Sequence, residues 1–197
     1  QQFNNPQRPG KMLTSGTQLT DLFLQVKING DIALLKALLL QLWHEEQKAP
    51  GAVFDWDFIQ EYTEGYEAFI ADLKQHDFED LVQASGVPRA QIKAAAEILR
   101  RKKKIIICWA MGLTQHENGV ENIREIVNLL LLKGSIGKPG AGTCPVRGHS
   151  NVQGDRTMGI WEAPKPAFLD QRKAVCGFEP PREHGFAVVD AIKAMHE

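Results

Sequence analysis

Apolar positions along this chain recur with two different periods, and those periods predict its elements. Leu22-Phe23-Leu24-Gln25-Val26-Lys27-Ile28 is short, apolar and partly alternating, which predicts a strand. Asn29-Gly30-Asp31 is a turn signal, and from Ile32 to Gln47 the residues Leu34, Leu35, Leu38, Leu39 and Leu42 recur at helical spacing. Asp31 therefore stands at a strand-to-helix turn, either as an N-cap for main-chain N–H groups or as a ligand contact. Lys48-Ala49-Pro50-Gly51 ends the helix.

From Asp55 to Arg101 the pattern is helical throughout. Asp55 caps a helix over 56–62, and short helices over 65–75 and 78–84 follow. Gly86 closes one helix and Pro88 opens the next, whose apolar face is Ile92, Ala95, Ala96 and Leu99. The basic run Arg100 to Lys104 reads as a solvated helix end, favourable against the negative C-terminal dipole. Ile105-Ile106-Ile107-Cys108-Trp109 is an uninterrupted apolar strand of the kind buried on both faces of a parallel sheet. Ala110 to His116 is the loop leaving it. Val120 to Lys133 is a long helix with Ile123, Ile126, Val127 and Leu130 on one face, and Gly134 is its C-cap. Strand, turn, helices, strand, loop and helix predict an α/β fold on an open, mainly parallel sheet flanked by helices, Rossmann-like in plan. Ligands in such sheets bind at the carboxyl ends of the strands, so the turn at 29–31 and the loop at 110–116 are the candidate sites.

The stretch from Gly137 to Gly159 breaks the pattern. It holds six glycines and two prolines, too many for a regular helix or a central strand. It is dense in donors: Arg147, His149, Ser150, Asn151, Gln153 and Arg156. From Lys133 to Gly159 four basic residues (Lys133, Lys138, Arg147, Arg156) face one acid (Asp155), which favours an anionic ligand. Past Gly159, residues 161–181 are proline-rich and irregular, and 185–196 read as a last amphipathic helix.

Composition adds exclusions. A formal net charge of −1 argues against a nucleic-acid binder. No apolar run approaches the ~20 residues of a membrane span, and no signal-peptide pattern opens the chain. Cys108, Cys144 and Cys176 are odd in number and widely spaced, which suits neither a disulfide framework nor a CxxC metal site; reduced thiols and a cytoplasmic setting are expected. Gln1 lacks an initiating Met, and a segment cut from a longer protein is expected.

Trp109-Ala110-Met111-Gly112-Leu113-Thr114-Gln115-His116, the helix 121–134 with Asn128-Leu129, Gly134 to Gly142, and Pro145-Val146-Arg147-Gly148-His149-Ser150-Asn151-Val152-Gln153-Gly154 together resemble the molybdopterin oxidoreductase family, in its formate dehydrogenase alpha-subunit branch. Asn5-Pro6-Gln7 and Asn29-Gly30-Asp31 also resemble that branch. The resemblance implies a partial molybdopterin-binding α/β domain over 1–160, with 161–197 an irregular segment and C-terminal helix of the same domain. It implies a bis(molybdopterin guanine dinucleotide) cofactor carrying molybdenum or tungsten. Asn29, Gly30 and Asp31 fall where the family contacts the guanosine end. Met111 and Gln115 fall beside the pterin, with Gly112, Asn151 and Gln153 also at the cofactor. Arg147 falls on the arginine facing the metal and the bound anion. His149 stands where that branch usually has glutamine, and Ser150 where it often has asparagine.

The family's iron–sulfur cysteines and metal-ligating residue lie upstream of anything matched. The resemblance therefore puts the cluster in the parent protein and no metal ligand in this chain. The implied partners are formate, the remaining domains of the parent, and an electron-transfer subunit. A guanidinium suits a carboxylate because its planar fork fixes orientation. His149 either relays a proton, orients the carboxylate or is a plain loop residue. Taken alone, Arg147 reads as a salt bridge to Asp155 or a phosphate anchor; it is the motif around it that implies the substrate role. Two other functional readings stand beside this one: a non-catalytic α/β module for nucleotide binding or assembly, and a family member acting on nitrate or an N- or S-oxide.

Overall fold

The computed structural model describes residues 2–3, 7, 10, 17–146, 148 and 151–196. The chain divides into two compact units, Gln1–Val146 and Arg147–Glu197.

The first unit is built around α1 (Asp31–Lys48), which buries Ala37, Leu38, Leu39, Leu40 and Leu42. Burying a leucine side chain stabilises by about 1.5–3 kcal/mol, and this helix buries apolar residues on more than one side. It packs against α4 (Phe78–Ser85), α5 (Arg89–Arg101) and α7 (Gly119–Leu132), and more lightly against α3 (Tyr66–Leu73). Leu73, Ile92, Ile126, Leu129 and Leu130 complete the most deeply buried set. Asp55 caps α2 (Trp56–Tyr62) by accepting the Phe58 N–H at 3.2 Å. Asp77 caps α4 by accepting the N–H groups of Glu79 at 2.8 Å and Asp80 at 3.1 Å. Gly86 closes α4 with φ 71°, where a side chain would be strained. At the end of α5, Arg100 and Arg101 share Glu97, and Arg101 to Lys104 are exposed.

Two buried charges lock the loop after α1. Glu46 is 1% exposed and accepts the backbone N–H of Gly51, Val53 (2.9 Å) and Phe54 (2.9 Å) and the Trp56 indole N–H (2.7 Å). Burial pushes its carboxyl up, but these donors outweigh burial and hold it below the usual carboxylate range. Lys133 donates from the other side to the Val53 carbonyl at 2.8 Å and the Arg100 carbonyl at 3.3 Å.

Glu125 on α7 is the opposite case. Burial pushes its carboxyl up; Lys36 and a hydrogen bond with Asn128 pull it down, and Asp72 and Glu121 add to the rise. Lys36 is itself bound to Asp72 at 2.9 Å and sits 2.7 Å from His76 Nε2. Among the described residues Glu125 Oε2 has no hydrogen-bond partner. A raised acid contributes stability while protonated and loses it as pH rises through its folded pKa. Glu125→Leu is therefore expected to raise the melting temperature more at pH 8 than at pH 4.5, read by thermal melts at both; a gain equal at both, or a loss at pH 8, contradicts this account of Glu125.

The sheet differs from expectation. Strand β3 (Ile106–Trp109) pairs in parallel with β4 (Gly142–Pro145), in the register Ile106↔Gly142, Ile107↔Thr143, Cys108↔Cys144 and Trp109↔Pro145. Between them run α6 (Met111–Thr114) and α7, completing one β–α–β unit. The other described pairing is antiparallel and two residues long, β1 (Gln2–Phe3) with β2 (Thr17–Gln18). The fold is thus mixed α/β and mainly helical with a small parallel sheet, and among the described residues this pair does not by itself make the expected Rossmann-like open sheet. The strand expected over Leu22–Ile28 is an extended segment outside any ladder. Its alternation is real: Leu22, Leu24 and Val26 pack on the core while Phe23, Gln25 and Lys27 are exposed. Its end is held by α4, whose Ser85 carbonyl accepts the Lys27 N–H at 2.9 Å, so packing on helices satisfies the pattern without a partner strand.

Strand β3 is not buried on both faces either. Ile107 and Trp109 pack on the core, while Ile106 is 55% exposed and Cys108 is exposed, because the helices cover one face only. The glycine-rich stretch also departs from expectation, since β4 and the six-residue helix α8 (Val152–Thr157) both fall within it.

The second unit carries α8, α9 (Pro166–Cys176) and α10 (Val188–His196). The segment read as irregular contains α9, which Pro166 opens at its first turn and Gly177 closes with φ 71°. Arg182 ties α9 to the following loop through Asp170 at 2.7 Å and Glu179 at 2.6 Å. The expected last helix is present as α10. Among the described residues no helix is long and apolar enough to cross a membrane.

Candidate functional site

The two loops singled out by their positions after strands are brought together. Asn29 adopts φ 63°, a left-handed conformation that asparagine tolerates better than most residues. The next residue, Gly30, is buried, and a Cβ there would lie 3.0 Å from the carbonyl oxygens of Ala84 and Ser85. The turn therefore needs glycine to lie close against the end of α4. Gly30 also occupies the N-cap position of α1, its carbonyl accepting the Leu34 N–H at 3.0 Å. Asp31 is not the cap but the acid of the first turn, where the helix dipole favours a negative charge.

The second loop leaves the carboxyl end of β3 through the single turn of α6. Gln115 closes that turn, its N–H donating to the Met111 carbonyl at 2.9 Å and its side-chain Nε2 lying 3.6 Å from the Met111 sulfur. His116 Nε2 lies 2.6 Å from the Gly112 carbonyl, so that ring nitrogen carries the hydrogen. Buried Asn122 anchors the loop on α7 by donating to the Leu113 carbonyl at 3.0 Å. Gly119 is buried where α7 begins, and a Cβ there would sit 2.5 Å from the Thr114 carbonyl oxygen. The loops meet where Asn118 Nδ2 donates to Asn29 Oδ1 at 3.2 Å. Asn118 escaped the sequence reading: it lies just before a helix, and nothing local marks a partner 89 residues away. The result is a ledge on which Gly112 and Gln115 are exposed and Met111 half-buried, beside the Asn29 turn.

The remaining candidates lie elsewhere. Arg147 and His149, with Ser150, are outside the described residues, as are Asn5 and Pro6. Asn151 and Gln153 belong to the second unit. Asn151 caps α8 by accepting the Gly154 N–H at 3.1 Å, and the Gln153 carbonyl accepts the Thr157 hydroxyl at 2.9 Å.

The charge argument for an anion changes once partners are visible. Lys133 is buried against carbonyls, and Lys138 is bound to Asp55 at 2.6 Å, a contact that holds the Asp55 carboxyl below its usual range. Arg156 lies over the Trp161 ring, 5.0 Å from its centre. Among the described residues, no group of three or more His, Cys, Asp or Glu side chains could hold a metal ion. An open groove of about 470 Å³ runs along α7 between Thr114, Val120, Ile123 and Val127, and none of the candidate residues lines it.

No protein-family model matches the chain. It is 43% identical over 195 residues to an uncharacterised oxidoreductase of Mycobacterium bovis, a match covering 99% of this chain and 25% of that protein. Formate dehydrogenase H of Escherichia coli is 33% identical over 160 residues, 81% of this chain and 21% of that protein. Among solved structures, acetylene hydratase from Pelobacter acetylenicus shares the fold with a TM-score of 0.55 at 19% identity, over 62% of this chain and 16% of that one. The chain thus spans about a quarter of the length of the first relatives it matches, and it is homologous to one stretch of proteins named as oxidoreductases.

Proposed function

We propose that this chain is part of a molybdopterin-dependent oxidoreductase of the formate dehydrogenase type, supplying one wall of the cofactor cleft and the residues that hold the substrate anion. The observation that carries the reading is the convergence of the Asn29 turn and the 110–118 loop through the Asn118–Asn29 hydrogen bond. Both loops bear motifs of that family, and similarity to formate dehydrogenase H points the same way.

The residues present fit such a group. A guanine or pterin ring presents donors and acceptors on one edge, and side-chain amides offer both. Gln115 is exposed beside Met111, and a Cβ at Gly112 would meet nothing within 4 Å, so backbone there lies open to a flat ring. In this reading Gln115, Met111 and Gly112 hold the pterin, while Asn29, Gly30 and Asp31 hold the guanosine end. Asn151 and Gln153 add hydrogen bonds to the cofactor. When bound, the group supplies the two-electron oxidant for converting formate to carbon dioxide. Arg147 grips both carboxylate oxygens of formate, which leaves the C–H the single free direction. His149 orients the same carboxylate and passes the released proton toward water. The remaining domains of the parent supply the metal ligand and an iron–sulfur cluster, and electrons leave through a cytoplasmic electron-transfer partner.

The test is the full-length protein. Molybdenum or tungsten and pterin should copurify with it, and formate should reduce a viologen dye, whereas this chain alone should give no formate oxidation. A folded full-length protein lacking both metal and pterin overturns the cofactor reading. A protein loaded with both that reduces no dye with formate retires formate as the substrate.

A further inference from the structure

One face of the β3–β4 pair is apolar and uncovered. Ile105 to Trp109 is an uninterrupted apolar run, the composition of a parallel strand covered on both sides. In the first unit only the face of Ile107 and Trp109 packs on the core. Residues two apart share a face of a strand, so Ile106 and Cys108 lie on the other one, with Gly142 and Cys144 opposite them in the register. Val146 continues the row, since its N–H still bonds the Trp109 carbonyl at 2.6 Å. Ile106 is 55% and Val146 51% exposed, and both cysteines are exposed free thiols. Gly142 has open space where a Cβ would stand, so a large side chain from outside can lie against the backbone there.

A single charge borders this row. Lys104 precedes Ile106 by two residues and lies beside Gly140, 3.8 Å from where a Cβ there would stand. It is exposed, and among the described residues no acid is bound to it.

Three observations choose what covers the face. First, the chain spans 25% of the length of its Mycobacterium bovis relative, so most of such a protein lies outside it. Second, parallel sheets occur almost wholly with both faces covered, and what covers them is a helix with an apolar stripe. Third, covering this face takes Lys104 out of water, and a buried ammonium needs an opposite charge. A second copy docked face to face would present the same patch, adding another Lys104 and no acid, since the row carries none.

We propose that Ile106, Cys108, Cys144 and Val146 are the seat of a helix from the remainder of the full-length protein, which lays an apolar stripe along the sheet and sets a Glu or Asp against Lys104. This interface rests on the chain being one stretch of a longer protein and not on the cofactor or substrate proposed above.

The two cysteines report on the seat without any substitution. The native full-length protein, reduced, is treated with iodoacetamide and read peptide by peptide by mass spectrometry. Cys108 and Cys144 should be alkylated at least ~10-fold more slowly than in the same protein unfolded in denaturant, because modification waits for the helix to lift. The neighbouring Cys144 thiol pushes the Cys108 thiol up, which slows Cys108 even when uncovered, so the decisive reading is Cys144. A carbodiimide, which joins an amine to a carboxylate in contact with it, should link Lys104 to an Asp or Glu outside these 197 residues. Alkylation of Cys144 at the unfolded rate overturns the proposal. Protection that vanishes on dilution to the monomer gives the face to a second copy and overturns it too, as does Lys104 linked only to acids within this stretch. Metal and pterin content enters neither measurement, so a failed cofactor reading and a failed seat are told apart.

Discussion

Glu46→Ala is expected to destabilise the first unit by about 3–5 kcal/mol, the cost of stranding several buried donors that each bond a charged acceptor. Four donors converge on this carboxylate: three backbone N–H groups from Gly51 to Phe54 and the Trp56 indole. Removal also leaves Lys133, 6% exposed and bound to the Val53 carbonyl, without the opposite charge beside it. At about 2–4 °C per kcal/mol for a unit of this size, the melting temperature should fall by roughly 10 °C. Glu46→Gln keeps the shape and one acceptor oxygen, so it should lie between the two. The dependence on pH has a definite sign. Because the folded carboxyl is held below its unfolded value, its contribution is present above the unfolded carboxylate range near ~4.3 and is lost as pH falls through the depressed folded value. The gap between parent and Glu46→Ala should therefore be full at pH 7 and close in acid. An unchanged melting temperature at pH 7, or a gap that widens in acid, would show that the loop after α1 is held by something else.

That hub marks the limit of what the sequence discloses. The helices α1 and α7 were legible because their apolar residues recur at helical spacing over successive turns, and Asp55 because an acid before an apolar run is a local cap signal. Glu46 carries no local signal of its role, since its partners come from a loop whose path no local pattern encodes. The same holds for Lys133 and Lys138, counted as free positive charge although each is committed to a partner far along the chain. Strand β4 was hidden by Gly142 and Pro145, residues that mark breaks in most contexts but are tolerated at the ends of a four-residue strand. Leu22–Ile28 shows the converse error, because alternation reports which side of an extended segment is covered and says nothing of a hydrogen-bonded neighbour. At the candidate site, the positions of the two loops followed from strand and helix order. Their junction at Asn29 and Asn118, like the apposition of Cys108 and Cys144, follows from topology alone.

Arg147→Lys in the full-length protein is expected to lower formate oxidation at least ~10-fold, the scale of the 1.5–3 kcal/mol of one charge-assisted hydrogen bond. Of the four basic residues between Lys133 and Gly159, Lys133 is held by carbonyls, Lys138 by Asp55, and Arg156 lies over Trp161. Arg147, outside the described residues, is the one to which the proposed function gives the anion. Lysine keeps the charge but replaces a planar two-pronged donor with a mobile point charge, so it can attract formate without fixing its C–H direction. The loss should then appear chiefly in kcat, with metal and pterin content near that of the unaltered protein. Arg147→Ala removes attraction as well as orientation and should fall further, with a rise in KM for formate. If both variants lose metal and pterin together, the guanidinium anchors the cofactor and not the substrate. If both keep full activity, Arg147 stands outside the site, and the role given to His149 two positions later falls with it.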